Sequence, residues 1–310
     1  MKKILLIGGK GYIGSFLNLR LREKYDIKII DLNWFNENSL DNETFDFKDL
    51  NHDQIKKYDI VILLAGHSSV KMCENNMLSS FKNNVENFII LLNKLNKNQK
   101  FIYASSSSVY GQTNNNIVSE EYNVFVPNNY YDLTKQIIDL YALKSDLDYY
   151  SLRFGTVNGW SPNLRVDIMI NSMVNSAIND GHIKLYIKDI MRPILGINDL
   201  ASAIDKIIES DTDQRGIYNL ASFNSTSEEI AKTVSNILNI PIKEYNSKDL
   251  EKITNIKLQT NAYNFAIDSS KFCKTFDFIF KDTISSITKS IIERYNNCDK
   301  TNRNISYKYE

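Results

Sequence analysis

Residues 128–135 read NNYYDLTK, two adjacent tyrosines with a lysine four positions beyond the second. On a helix Tyr131 and Lys135 share a face, whereas Tyr130 has no lysine at i+4. A free phenol, with a pKa near ~10, is a poor base at neutral pH, and a neighbouring ammonium stabilises its phenolate. The pair has two readings: an ordinary amphipathic helix start, or a tyrosine placed to move a proton. A second signal opens the chain. In IGGKGYIG, residues 7–14, Gly8, Gly11 and Gly14 fit G-x-x-G-x-x-G. The first two let the backbone turn tightly against a pyrophosphate at a helix N-terminus, and the third lets helix and strand pack closely. Glycines at such a turn also serve structure alone. Here Asp31 closes the next apolar run, 17 residues beyond Gly14, near the spacing of a carboxylate on an adenosine ribose. That combination favours dinucleotide binding. A carboxylate repels a 2′-phosphate, so Asp31 favours NAD over NADP, and Lys10 inside the turn is the opposing signal. In FDFKDL, residues 45–50, Asp46 is placed to accept from an adenine amino group, while Asp49 could equally cap a helix.

These residues need a scaffold. KILLIG (3–8), IKIID (27–31), DIVILLAG (59–66), KFIYASS (100–106) and YYSLRFG (149–155) read as buried parallel strands. Helix-length stretches at 12–24, 78–96 and 131–145 lie between them. The alternation predicts an α/β fold, a Rossmann-like doubly wound parallel sheet. Beyond Gly159 the pattern loosens into a helix in VDIMINSMVNSAIND, a strand at 216–222 and helices at 226–238 and 283–295. The expected organisation is a nucleotide-binding domain over 1–158, completed by about 193–222. A smaller, partly interleaved substrate region over 159–310 follows, with a polar tail.

Composition narrows the classes. Lys+Arg and Asp+Glu both number 37, so no basic field attracts nucleic acid or an anionic membrane. The opening MKKILLI resembles a signal peptide, but its apolar run stops at Gly8, and no window approaches the ~20 apolar residues of a membrane span. Cys73, Cys273 and Cys298 are odd in number and scattered, and the three histidines make no metal-ligand motif. The expectation is a cytoplasmic chain without a metal, in which the sequons at Asn42 and Asn224 carry little meaning.

In order along nearly the whole chain, GGKGYIG, DFKDL, VILLAG, NNVEN, SSSSVYG, YDLTK, LRFGTVNG, RPILGINDLA and GIYNLAS resemble the extended short-chain dehydrogenase/reductases, the nucleotide-sugar epimerases and dehydratases. The resemblance implies a bound NAD(P) and an NDP-sugar held by the C-terminal region. It puts the cofactor on Gly8, Gly11, Tyr12, Ile13 and Gly14, on Asp31, Asp46 and Phe47, and on Leu64, Ala65 and Gly66. It makes Tyr131 the acid–base residue, with Lys135 serving both the phenolate and the nicotinamide ribose. Aligned on Val109-Tyr110-Gly111, the family's catalytic Ser/Thr falls on Ser106. The 4,6-dehydratases carry an Asp-Glu pair at the positions of Ser107 and Ser108, and related decarboxylases a glutamate at Ser108, so both reactions are disfavoured here. On the substrate side the resemblance implies Ser107, Ser108 and Thr156, with His67 as a further contact or a plain loop residue. Arg192 would pair with the phosphates, and Arg165 and Asn171 fall where the nucleotide-binding helix begins.

The expected function is an NAD-dependent NDP-sugar epimerase working through a transient 4-keto sugar. The rivals are a 4-dehydrogenase or ketoreductase with the same residues, and a non-enzymatic dinucleotide sensor. The resemblance also implies a homodimer, through a four-helix contact that includes the helix at Tyr131.

Overall fold

The structure, a computed structural model, describes residues 1–34, 44–113, 116–123, 126–211, 213–245 and 264–297. Asn42, Cys298 and the tail 298–310 lie outside the described residues.

The first half runs β1 (Lys3–Ile7), α1 (Tyr12–Leu21), β2 (Asp26–Ile30), α2 (His52–Ile55), β3 (Ile60–Leu63), α3 (Val70–Asn75), α4 (Met77–Phe81), a π turn (Lys82–Glu86), α5 (Asn87–Leu92) and β4 (Lys100–Ser106). It continues through β5 (Ile117–Val118), α6 (Tyr130–Leu143) and β6 (Asp148–Phe154). The second half holds β7 (Thr156–Asn158), α7 (Met169–Asp180), β8 (Ile183–Leu185), β9 (Met191–Gly196), α8 (Ile197–Glu209), β10 (Gly216–Leu220), β11 (Phe223–Thr226) and α9 (Ser227–Leu238). β12 (Ile242–Glu244), β13 (Ala266–Ile267), α10 (Ser270–Phe276) and α11 (Ile284–Asn297) complete it.

Six strands form a parallel sheet in the order β2-β1-β3-β4-β6-β10. The runs of β1, β3, β4 and β6 form interior strands because both faces are covered: in β1, Ile4, Leu5, Leu6 and Ile7 are all at most 1% exposed, as only a two-sided burial produces. Leu5, Ile7, Val61 and Phe101 face the layer containing α5 and α6, whereas Ile4, Leu6, Ile62 and Ile102 face that of α1 and α8. The chain leaves β1 toward β2 on one side and returns to β3 on the other. The crevice at that reversal, beyond the carboxyl ends of β1 and β3, is where such sheets bind ligands.

β10 reaches the sheet edge only after the excursion through α7 and α8, so the two halves interleave. A small sheet, β11-β9-β7, and helices α7, α9 and α11 surround a separate core of Ile170, Val174, Ile230, Ile287 and Ile291. The helix expected over 78–96 is three segments, two α and one π. Asp199, in the first turn of α8, accepts on its carboxylate from Lys281 N, Asp282 N and Ser222 Oγ and ties the α10–α11 connection to α8.

Candidate active site

A cavity of about 970 Å³ runs from the glycine turn along the carboxyl ends of β1, β3, β4 and β6 to Arg192. That is the upper end of the ~300–1,000 Å³ usual for small-molecule sites. Its floor is built by close backbone approach. Gly8 has φ +86°, and a Cβ there would sit 2.5 Å from Ala65 N, while one on Gly14 would sit 2.1 Å from Gly8 O. Only glycine lets strand, turn and helix meet at these points. Gly8, Gly11, Tyr12, Ile13, Gly14, Asp31, Phe47, Leu64, Ala65 and Gly66 all line the cavity. The Asp31 carboxylate accepts from Lys10 N at 2.8 Å and Asn33 N at 2.7 Å, which fixes it at the rim one residue past β2. Asn83, from the π turn, also lines the cavity, and its Oδ1 is buried with no hydrogen-bond partner. A buried acceptor costs free energy unless something donates to it. The glycine cradle, the carboxylate at the rim and this acceptor fit a dinucleotide.

The reacting residues converge at the cavity's middle. Asn129 caps α6, its side chain accepting from Asp132 N, so the helix starts at Tyr130 and turns Tyr131 and Lys135 inward. Both line the cavity, as does Ser106 at the end of β4. Tyr130 stays 43% exposed. Lys135 Nζ donates to Ala104 O at 2.7 Å and lies 5.9 Å from the Tyr131 ring centroid. Burial pulls the Lys135 ammonium down to about 8, against the opposing charge of Asp139. Burial pushes the Tyr131 phenol up to about 12; a hydrogen bond from Ser106 works against this, and the nearby Asp132 charge adds to it. Without a further positive charge Tyr131 therefore keeps its proton at neutral pH.

A buried polar hub holds this helix on the sheet. Asp139, one turn beyond Lys135, accepts from Ser105, Ser151 and Arg153 Nε at 3.0, 2.6 and 2.9 Å. The Arg153 guanidinium in turn stacks 4.8 Å over the Tyr110 ring. Asn84 does the same for the loop after β3: it accepts from His67 N and donates to His67 O and Thr134 Oγ1. The π turn is what aims Asn83 at the cavity and Asn84 at α6.

Three expected contacts fall elsewhere. Asp46 caps the short turn Phe47–Asp49 and pairs with Lys48, so the capping role expected of Asp49 belongs to Asp46. His67 is buried, with Nδ1 2.6 Å from Ser80 Oγ, because its backbone is clamped by Asn84 and its ring turns inward; burial lowers its pKa. Asn171 is a brace: Oδ1 accepts from Gly159 N and Nδ2 donates to Arg165 O, under the Tyr12 hydroxyl. Ser107, Ser108, Thr156, Arg165 and Arg192 do line the cavity. Ser107 donates to Phe154 O and Ser108 to Asp132. Arg192 rests 5.0 Å over the Phe265 ring, and Arg165 forms a fork with Asp167. Asn224, in the second sequon, is hydrogen-bonded to the backbone of Ile267.

A second cavity, of about 440 Å³, lies at the opposite end of the strands, by the amino ends of β1, β3, β4 and β6. Its lysines are committed there: Lys2 and Lys100 donate to Ile207, Ile208 and Ser210 carbonyls at the end of α8, and Lys97 pairs with Asp146. No metal-binding cluster and no helix long and apolar enough to cross a membrane occur among the described residues.

The chain is similar to UDP-glucose 4-epimerase of Mycoplasma genitalium, 28% identical over 292 residues that cover 80% of this chain and 86% of that one. It is also similar to dTDP-D-glucose 4,6-dehydratase of Dictyostelium discoideum, 26% identical over 283 residues, 76% of this chain and 62% of that one. Its fold matches MoeE5 in complex with UDP-glucuronic acid and NAD, with a TM-score of 0.80 at 19% identity over 96% of this chain and 100% of that one. The family profile described as NAD dependent epimerase/dehydratase matches residues 4–221, across the glycine turn, Ser106, Tyr131, Lys135 and the sheet's last strand. The chain belongs to the NAD-dependent epimerase/dehydratase family of enzymes.

Proposed function

We propose that the protein is an NAD-dependent NDP-sugar 4-epimerase. The observation that carries this is the meeting of Ser106, Tyr131 and Lys135 at one point of a dinucleotide-sized cavity, with hydroxyls at 107 and 108. Bound NAD supplies a reversible hydride acceptor and a positive charge beside Tyr131. Tyr131 takes the proton of the sugar's C4 hydroxyl and later returns it, and Ser106 holds that hydroxyl in place. Lys135, freed from Ala104 O or sharing with it, lowers the phenol's affinity for its proton. Asp31 receives the adenosine ribose hydroxyls and disfavours a 2′-phosphate. Arg192 and Arg165 supply the guanidinium forks for a diphosphate at the far end. A ketone that turns over before it is reduced leaves as the C4 epimer.

Water elimination needs a proton donor and acceptor beside the sugar's C5 and C6. Ser107 and Ser108 are poor at both, and their hydrogens are already given to Phe154 O and Asp132. The test is product analysis by NMR on the purified protein with a panel of UDP- and dTDP-hexoses. The C4 epimer with no net NADH is expected. A 4-keto-6-deoxy product would make the protein a dehydratase, and stoichiometric NADH a dehydrogenase.

A further inference from the structure

The segment between β7 and α7, residues 159–168, brings two polar side chains to the cavity, Asn163 and Arg165. A pair of asparagines ties its two ends together. Asn158 Oδ1, at the end of β7, accepts from Ile170 N at 2.9 Å. Asn171 Oδ1, in the first turn of α7, accepts from Gly159 N at the same distance. Asn158 is 0% and Asn171 1% exposed. The amide nitrogen of Asn171 has two hydrogens to give. It donates to Arg165 O at 2.8 Å and, at 3.3 Å, to both Gly159 O and the Tyr12 hydroxyl.

The same segment is fastened to the glycine turn. The Tyr12 hydroxyl donates to Gly159 O at 2.8 Å, across 147 residues of chain. Ser161 Oγ donates to Tyr12 O at 2.6 Å, and Asn163 Nδ2 donates to Lys10 O at 2.9 Å. Lys10 N in turn donates to the Asp31 carboxylate. The side-chain fork of Arg165 to Asp167 is a surface pair, 23% and 43% exposed, of the kind that is worth little. The place from which the guanidinium reaches into the cavity is therefore set by the backbone at residue 165, which Asn171 holds directly and Tyr12 holds through Asn171 and Gly159.

We propose that Asn171 and Tyr12 are positioning residues that fix the backbone of Arg165 against the glycine turn, so that the guanidinium meets the diphosphate of the sugar nucleotide at a point set by the cofactor's own cradle. Without them the ligand itself must order the segment, and part of the binding free energy goes into that ordering. The proposal rests on the diphosphate role given above to Arg165, and holds whichever reaction the site performs.

The test is calorimetric titration of the NAD-loaded full chain with UDP and with dTDP, which carry a diphosphate and no sugar. Arg165→Ala should weaken binding about tenfold or more, as expected for a hydrogen bond between charged groups. Asn171→Ala should weaken it about three- to tenfold, and Tyr12→Phe about two- to threefold, since Asn171 still holds Arg165 O in the second variant. In an Arg165→Ala background neither substitution should weaken binding further, because both act through that side chain. A brace that only kept the cavity folded would weaken binding equally in both backgrounds, and that result would overturn the proposal. So would unchanged affinity in Asn171→Ala and Tyr12→Phe; should Asn171→Ala fail to fold, Tyr12→Phe decides by the same two comparisons. Unchanged affinity in Arg165→Ala alone would instead remove the diphosphate role of Arg165, and the proposal with it.

Discussion

Tyr131 and Tyr130 differ by one residue and by everything chemical. Tyr131 lines the cavity beside Lys135 and Ser106, whereas Tyr130 stays exposed. Tyr131→Phe should cost about 10²–10⁴ in turnover, the usual contribution of a general acid–base group, with NAD still bound. Tyr130→Phe should cost far less, as steady-state kinetics of the two variants will show. Lys135 carries a second consequence. Its pKa in the fold, about 8, lies below the 10.5 of a free lysine, so its charge is a penalty to the folded protein. The penalty is fully present below pH 8 and fades as pH rises toward the unfolded value, where the lysine is neutral in both states. Lys135→Met should therefore stabilise the cofactor-free protein at pH 7, by up to about 3 kcal/mol, while destroying turnover. Denaturant melts should show the gap between variant and wild type closing between pH 8 and 10.5.

At the scale of elements, the site depends on how firmly α6 is held. The Asp139–Arg153 pair is nearly dry, with side chains 1% and 9% exposed. Asp139→Ala strands the guanidinium and should cost about 3–5 kcal/mol, read from the denaturant midpoint. Replacing both with apolar residues should recover much of that loss; a single variant within about 1 kcal/mol of wild type would contradict the account. Which elements the sequence revealed follows from their environment. Four of the five apolar runs before residue 156, those of β1, β3, β4 and β6, are interior strands, and strands buried on both faces carry continuous apolar sequence; β2 lies at the sheet edge and is only half-buried. The segment Ile197–Glu209 carries a helical signal of its own: Ile197, Leu200, Ala201, Ile204, Ile207 and Ile208 recur at helical spacing and are all buried. The π turn had none, because a single wide turn leaves no period, and Asn83 and Asn84 are only two of several polar residues in that stretch. His67, Asn171 and Asp46 turn to protein partners for a related reason. Sequence brings a residue near the cavity, but the rotamer and backbone clamp decide which way its side chain turns.

For the whole molecule, the exposed surface of α4 and α6 is the unusual feature. The two helices pack side by side, and Leu78 is 82% and Leu140 57% exposed, with Phe81 and Leu143 also outward. A second copy of the chain meeting this face would form a four-helix contact. Light scattering on the 35.8 kDa chain should give twice that mass, and Leu78→Asp with Leu140→Asp should halve it. A wild-type monomer at micromolar concentration would remove the dimer from the account.

The central claim is that hydride leaves the sugar's C4, stays in the site and returns to the other face. The most direct measurement supplies a UDP-hexose deuterated at C4 to the NAD-loaded protein and follows deuterium by NMR and mass spectrometry. Deuterium retained at C4 of an epimer of inverted configuration, with none in solvent and none as free NADD, is the predicted result. Deuterium at C6 of a 4-keto-6-deoxy sugar, or accumulated as NADD, would contradict it.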